Sequence, residues 1–173
     1  CCMKSYCISA YGQPLVEHDD DMPVPSGVEV LIEVVGCGVC HSDVHIWEGF
    51  FDMGGGRKAD MSRAHQLPFT MGHEIAGTVS AVGESATAAI GDTVVVYPWI
   101  GCGECDVCQA GDENLCLVPR NLGVHRPGGY ATHVLVPDGC YLFPVGDIPV
   151  ALAATCACSG ITAYGALKKL RAK

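Results

Sequence analysis

Charged side chains are scarce in this chain of 173 residues, and positive charge is the scarcer kind. Lysine and arginine together number 10 against 19 acidic residues, which gives a formal net charge of −9. The one basic cluster is at the C-terminal end and consists of Lys168, Lys169, Arg171 and Lys173. Because nucleic acids and anionic membrane surfaces are bound through larger basic patches, we expect neither as a partner.

The sequence also lacks a long uninterrupted apolar run, an internal repeat and a low-complexity tract. No segment is long and apolar enough to predict a membrane-spanning helix. Hydrophobic residues nevertheless make up 49% of the chain and charged residues 17%. This composition is typical of a folded domain with its own core.

A third absence is the glycine-rich fingerprint of a dinucleotide-binding domain. That fingerprint would join a strand, a G-x-G-x-x-G turn and a helix, with an acidic residue about 20 positions further on. The glycine triplet at 54–56 lacks this spacing and is followed by Arg57 and Lys58, while Gly101 and Gly103 lie within a cysteine cluster. We therefore predict that a Rossmann domain is absent from this chain.

Short segments rich in β-branched residues recur along the chain, separated by clusters of glycine, proline, aspartate and serine. The predicted strands are residues 28–35, 75–82, 93–97 and 130–136. Strands at this spacing favour a mainly β domain of the α+β class, with a barrel-type antiparallel arrangement, over residues 1–147. The polar, glycine-rich residues 51–66 predict a surface excursion.

The composition changes near Gly146, beyond which alanine and leucine are frequent. Residues 148–156 and 160–171 are predicted to be helical, and the second segment ends in basic residues, as helix C-termini often do. We assign residues 148–173 as a helical segment that follows the β domain.

Four of the twelve cysteines have the spacing C-x2-C-x2-C-x7-C, and they are Cys102, Cys105, Cys108 and Cys116. Four thiolates so close in sequence can surround one tetrahedral zinc ion, which predicts a structural zinc lobe over residues 101–117. Disulfides or unused thiols are the alternative. Metal-type spacing indicates a reducing compartment and hence a cytoplasmic location.

A second set of potential zinc ligands consists of Cys40, His73 and Cys158. One imidazole and two thiolates leave a fourth position open for water or a substrate oxygen, as a catalytic zinc site requires. Each residue alone is weak evidence, because a single cysteine is most often a small buried hydrophobe. Their occurrence together with the four-cysteine lobe favours one closed and one open zinc site.

Four motifs occur in the order found in a known family. They are G-V-C-H-S-D-V-H at 38–45, G-H-E-I-A-G at 72–77, the four-cysteine lobe, and C-S-G-I-T-A-Y-G-A-L at 158–167. The chain resembles the zinc-dependent medium-chain alcohol dehydrogenases, and the motifs match their N-terminal, GroES-like catalytic domain. The resemblance implies two zinc ions per chain and NAD or NADP as cofactor. It also implies oxidation of a small alcohol to an aldehyde or ketone.

The resemblance assigns the metal site residue by residue. Cys40, His73 and Cys158 would bind the catalytic zinc, with Cys158 preferred to Cys156 because the family's cysteine lies two residues before a glycine. Glu74 would be an acidic neighbour of the metal and an alternating ligand. Asp43 would hold the tautomer of His73. Solvated surface charges are the alternative for both acidic residues.

The resemblance also assigns the proton and cofactor contacts. Ser42 would accept the alcohol proton, and His45 would pass it to solvent through the nicotinamide ribose. His41 occupies the position at which the family contacts the cofactor pyrophosphate. His45 as an ordinary surface histidine is the alternative, and Trp47 is either a wall of the substrate pocket or a core residue.

Family members carry a nucleotide-binding domain after the matched region and assemble as dimers or tetramers. We therefore expect this chain to require a Rossmann domain, from a longer polypeptide or from a second chain, and to bind zinc without useful turnover when alone. A zinc-stabilised GroES-like binding module without turnover is the alternative. A zinc-free quinone reductase is disfavoured by the full ligand set, and a polyol dehydrogenase by the thiolate at Cys158.

Overall fold

A computed structural model describes residues 2–61 and 64–171 of the chain. Two residues of the predicted 51–66 excursion and the last two residues, including Lys173 of the basic cluster, lie outside this described part. The strands are β1 Cys2–Ile8, β2 Val16–Asp21, β3 Val30–Gly38, β4 Phe50–Asp52, β5 Lys58–Asp60, β6 Phe69–Thr70, β7 Glu74–Val82, β8 Thr93–Val96, β9 His133–Val136 and β10 Leu142–Pro144.

The helices are short until the end of the chain. They are α1 His41–Glu48, α2 Asp106–Gln109, α3 Val150–Ala153 and α4 Ser159–Arg171. Single 3₁₀ turns occur at Glu113–Leu115, Gly139–Tyr141 and Ala154–Ala157. The helical segment predicted after residue 148 is therefore two α-helices joined by a 3₁₀ turn.

The central element is a five-stranded sheet in the order β10-β8-β7-β3-β9. A second sheet has the order β2-β1-β6, and β4 pairs with β5 in a hairpin. Every strand pair in these three sheets is antiparallel. The predicted mainly β fold with a helical C-terminal segment is confirmed.

The predicted strands differ from the observed ones mainly at their ends. The first begins at Val30 and runs on to Gly38, and the last begins only at His133. Strands β1, β2, β6 and β10 were not predicted from the sequence. The strand β2 reads V-E-H-D-D-D and is largely exposed, so only its pairing with β1 identifies it as a strand.

Within the described residues, two clusters of buried side chains form the core. The larger lies on the five-stranded sheet and includes Val30, Ile32, Ile75 and Val96, which lose essentially all solvent exposure. The first three residues of β3 are all buried, and more and less exposed residues alternate only from Ile32 to Gly36. The smaller cluster contains Ile8, Ile46, Phe69 and Met71, with Trp47 packed against it.

Residues 50–60, in the first part of the predicted excursion, form a short hairpin on the surface. Strands β4 and β5 are joined by a turn in which Gly54, Gly55 and Gly56 all adopt positive φ, a conformation that favours glycine. His65 is the exception in this stretch, because it is 8% exposed and its Nε2 lies 2.8 Å from the carbonyl oxygen of Val124.

A lipid bilayer sets a minimum length and hydrophobicity for a helix that crosses it. Within residues 2–61 and 64–171, no one helix is long and apolar enough to cross it. The pair Val150–Ala157 and Ser159–Leu170, bent by 56°, reaches the required length and composition only when taken together.

Candidate metal centres

The three residues of the predicted catalytic site come from distant parts of the sequence and meet at one point. Cys40 follows β3 and caps α1, His73 directly precedes β7, and Cys158 directly precedes α4. One ligand atom from each lies within 4.8 Å of the others. The two sulfur atoms are 3.9 Å apart although the residues are separated by 118 positions. Two thiolates on one tetrahedral zinc would be about 3.8 Å apart.

The imidazole of His73 is oriented for metal binding. Its side chain is fully buried, and its Nδ1 lies 3.2 Å from Oδ1 of Asp43. A proton on Nδ1 satisfies that carboxylate and leaves a free lone pair on Nε2. Among the described residues, Nε2 of His73 has no hydrogen-bond partner even though it is buried. An orphaned buried nitrogen facing two thiols fits a metal ligand.

Asp43 joins the segments that carry two of these ligands. One carboxylate oxygen contacts His73, and the other accepts the backbone N–H of Cys40 at 2.9 Å. The side chain is 2% exposed and occupies the third position of α1, where a carboxylate also interacts favourably with the helix dipole. The structure therefore places Asp43 as a bridge between the Cys40 loop and His73.

Glycines beside the ligands allow this close packing. Gly72 has φ of +94°, and a Cβ there would collide with the ring of Tyr130 and the sulfur of Cys37. A Cβ on Gly38 would collide with the carboxylate of Glu74. Glycine is needed at both positions, because any side chain would push a ligand-bearing segment away from the site.

The two thiols of this site differ in acidity. Burial acts to raise the pKa of Cys40, but the backbone amide of Ser42 and the imidazole of His73 outweigh it, and the pKa is lowered. Burial, followed by the charge of Cys40, raises the pKa of Cys158 to about 12. Burial alone would lower the pKa of His73, but Asp43 reverses the shift and raises it. A metal ion would displace protons on binding here.

Glu74 contacts the protein rather than the converging ligand atoms. It is 2% exposed, and its Oε1 accepts hydrogen bonds from the backbone N–H of Ser159 at 3.0 Å and from the Ser159 hydroxyl at 2.6 Å. Glu74 is not part of the group of atoms that lie within 4.8 Å of one another. Its role as an alternating ligand stays a prediction.

The residues predicted to move protons lie on α1. Ser42 is half-buried in the first turn of the helix. The ring of His45 lies between two others, with centroids 4.7 Å from His41 and 4.9 Å from Phe51. The buried Nδ1 of His45 is 3.7 Å from Oε2 of Glu48, too far for a hydrogen bond. Phe51 thus brings the β4–β5 hairpin against the predicted proton relay.

Trp99 is a site residue that the sequence analysis missed. Its ring centroid is 5.4 Å from that of His73, and its indole N–H donates to the carbonyl of Ala157 at 3.1 Å. Trp47, the tryptophan considered from the sequence, donates to the carbonyl of Gln13 at 2.6 Å and packs against the smaller core cluster. No local pattern distinguishes the two tryptophans.

The four cysteines of the lobe form a second, closed group. Their sulfur atoms lie within 4.8 Å of one another, and the measured separations of 3.5, 3.8 and 3.9 Å exceed a disulfide bond of about 2.05 Å. Backbone N–H groups of Cys105 and Val118 point at the sulfurs of Cys102 and Cys116. This geometry fits tetrahedral thiolate coordination.

Thiol acidity within the lobe is uneven. Hydrogen bonds from the backbone at Glu104 and Cys105 lower the pKa of Cys102 to about 6. Burial raises the pKa of Cys108 to about 12. A cation would stabilise all four thiolates together, since it removes the repulsion among them.

Comparison with known proteins identifies the fold. Residues 26–147 match the family described as the alcohol dehydrogenase GroES-like domain. The NAD-dependent alcohol dehydrogenase of Sulfurisphaera tokodaii is 41% identical over 168 residues, which is 96% of this chain and 48% of the relative. These matches confirm the predicted resemblance and the GroES-like fold.

Solved structures agree with this match. The D-arabinose dehydrogenase from Sulfolobus solfataricus is similar with a TM-score of 0.83 and 32% identity, over 98% of this chain and 48% of that one. The cobalt and zinc bound thermostable alcohol dehydrogenase from Pyrobaculum aerophilum gives a TM-score of 0.73 and 29% identity, over 91% and 44% of the two chains. The chain thus spans less than half of the length of the relatives it matches.

Proposed function

Since the chain belongs to the alcohol dehydrogenase family through its GroES-like domain, we propose that it is the catalytic portion of a zinc-dependent alcohol dehydrogenase. The complete reaction oxidises an alcohol to an aldehyde or ketone with NAD or NADP. The observation that carries this proposal is the unpartnered, buried Nε2 of His73, which faces the thiols of Cys40 and Cys158.

Zinc at this site would supply a Lewis acid that lowers the pKa of an alcohol at the open position. The residues of the chain orient and deprotonate the substrate. Asp43 retains the proton on Nδ1 of His73 and so keeps Nε2 available. Ser42 would accept the alcohol proton while it gives up its own hydroxyl proton, which would pass through the nicotinamide ribose to His45 and on to solvent. His41 would contact the cofactor pyrophosphate.

The two metal groups have different roles in this proposal. Cys102, Cys105, Cys108 and Cys116 supply four thiolates and leave no open position, which suits a structural zinc. Cys40, His73 and Cys158 supply three ligands and leave one position for substrate. Residues 1–147 then act as the catalytic domain and residues 148–173 as the connection to the cofactor domain, a division supported by the family match that ends at 147.

Hydride transfer needs a nicotinamide, so we assign the full activity to this chain together with a nucleotide-binding domain. Support comes from the relatives, of which the chain covers 48%. The exposed apolar residues of α4, among them Ile161, Tyr164 and Leu167, offer a surface for such a domain. We further propose a dimer or tetramer for the complete protein and, from the free thiols at metal spacing, a cytoplasmic location.

Native mass spectrometry of the purified chain tests the proposal. Two zinc ions per chain are expected, and loss of the His73 imidazole in His73→Ala should remove one of them. A chain that carries a single zinc, bound by the four-cysteine lobe, contradicts the catalytic assignment and supports the binding module instead.

Cobalt substitution tests the open position separately. Cobalt bound by Cys40, His73 and Cys158 should change its visible spectrum when imidazole or an alcohol is added, because the fourth position accepts the new ligand. Cobalt in the four-cysteine lobe should not respond. A spectrum that is unaffected by both additions contradicts an open site.

A further inference from the structure

We propose that Ser159 is a positioning residue, which holds Cys158 in place for zinc through its hydrogen bonds to Glu74. The inference rests on the proposed function, because it concerns the same site. It assigns a role to a residue next to a ligand, and it changes the role of Glu74 from a neighbour of the metal to an anchor for the protein around it.

The contact joins two distant segments at the metal site. Both the backbone N–H and the hydroxyl of Ser159 donate to the same oxygen of Glu74, at 3.0 and 2.6 Å, across 85 positions of sequence. Hydrogen bonds to an ionised carboxylate are stronger than neutral ones. Two of them on one oxygen therefore restrain the backbone directly after Cys158.

Glu74 is placed to touch all three ligand-bearing segments. It follows His73 in the sequence and is bonded to the residue after Cys158. Its second oxygen packs against Gly38, where any Cβ would collide with it. Gly38 is the last residue of β3 and directly precedes the loop that carries Cys40. A single buried carboxylate thus fixes the spacing of the segments whose side chains converge.

This arrangement replaces an ordinary helix cap. Helix α4 begins at Ser159, and its first N–H groups need acceptors that a serine, threonine or aspartate at the preceding position commonly supplies. Here the preceding residue is Cys158, whose side chain is directed to the metal group. Glu74, which is distant in sequence, supplies the acceptor instead. The same hydrogen bonds therefore cap α4 and orient the side chain of Cys158.

The geometry also separates this role from metal ligation. Oε1 of Glu74 is occupied by two donors from Ser159, and Oε2 faces the Gly38 backbone. Neither carboxylate oxygen of Glu74 is among the atoms that converge within 4.8 Å. The structure therefore assigns Glu74 to the backbone around Cys158.

The test is an anaerobic cobalt titration of the intact chain carrying Ser159→Ala. Subtracting the spectrum of Cys158→Ala, which retains only the four-cysteine lobe, isolates the site of interest. We expect Ser159→Ala to weaken cobalt binding at Cys40, His73 and Cys158 by about 10-fold and to shift its visible bands, as loss of a supporting hydrogen bond does. The four-cysteine site should bind cobalt as before.

Two variants control for general effects. Ser159→Thr keeps a hydroxyl and should restore affinity to within about threefold of the original chain. Thr155→Ala removes a hydroxyl nearby that donates to Leu152 rather than to Glu74, and it should leave both sites unchanged.

Three results would overturn the proposal. Unchanged affinity and bands in Ser159→Ala would show that its hydroxyl positions nothing. Weakening of both sites together would show general unfolding, and the circular dichroism spectrum would reveal it independently. If the unaltered chain binds only one cobalt, the proposed catalytic site is itself wrong, and that result is distinct because it needs no variant.

Discussion

The Nδ1 atom of His73 lies 3.2 Å from Oδ1 of Asp43, and neither side chain is more than 2% exposed. The same carboxylate accepts the backbone N–H of Cys40. Asp43 therefore contacts both His73 and the loop that presents Cys40, and we predict that it holds the tautomer of the imidazole. Burying a carboxylate costs free energy, and this cost is offset only while both hydrogen-bond donors, His73 and the backbone N–H of Cys40, remain in place.

We predict that Asp43→Asn weakens zinc binding at the open site by about 10- to 100-fold. The amide can accept from His73, but its NH₂ group would then face the N–H of Cys40, and two donors cannot bond. Competition with a chromogenic chelator measures the affinity. Asp147→Asn, at an exposed aspartate, is the matched control and should have no effect. Equal zinc affinity in the two variants would contradict the assigned role of Asp43.

Substitutions of Cys158 and Cys156 form a matched pair that tests which cysteine is the third zinc ligand. We expect Cys158→Ser to lose one of two zinc ions, because a serine hydroxyl is a poor ligand for zinc. Cys156→Ser should retain both, since Cys156 is exposed and its sulfur is not among the converging atoms. Metal content by native mass spectrometry distinguishes them. Loss of zinc from Cys156→Ser would show that the third ligand is misassigned.

Removal of metal should affect the four-cysteine lobe more than the sheet. Without zinc, residues 101–117 retain only short α2 and a 3₁₀ turn, which few buried apolar residues support. We expect a strong chelator to increase amide hydrogen exchange throughout the lobe while β3 and β7 remain protected. If the exchange of the lobe is unchanged after metal is removed, the structural zinc assignment is wrong.

The core of the five-stranded sheet should dominate the stability of the chain. Ile32 on β3 is fully buried, whereas Val35 on the same strand is 56% exposed. We predict that Ile32→Ala lowers the free energy of unfolding by about 2 to 5 kcal/mol through lost burial and a residual cavity. Val35→Ala should change it by less than about 0.5 kcal/mol. Urea denaturation measures both, and similar losses would contradict the described packing.

The two groups of potential metal ligands could be predicted because zinc is bound mainly by a few side-chain types, cysteine and histidine among them. Within the lobe, the close spacing of the cysteines is a further signal. The C-x2-C-x2-C-x7-C pattern joins its ligands through short loops, so the pattern itself predicts their convergence. Strands such as β7 and β8 were also predictable, because β-branched residues there are bounded by turn residues.

Other features depend on contacts between residues that are remote in sequence. The strand β2 is polar and acidic, and it is a strand because β1 supplies its hydrogen bonds. Trp99 lies beside His73, whereas Trp47 packs against the smaller core cluster, and the residues next to each tryptophan in the sequence do not predict this difference. Amino-acid composition therefore does not predict that β2 is a strand or which tryptophan lies beside His73.

The candidate site also combines features with a local sequence signal and features that depend on long-range contacts. The ligand types of Cys40, His73 and Cys158 follow from their side chains, and their motifs make them recognisable. The bond between Glu74 and Ser159 joins residues 85 positions apart, and neither carries a local signal for the other. Only packing of the 3₁₀ turn Ala154–Ala157 against β7 brings them together, because long-range backbone placement depends on the whole core and not on neighbouring residues.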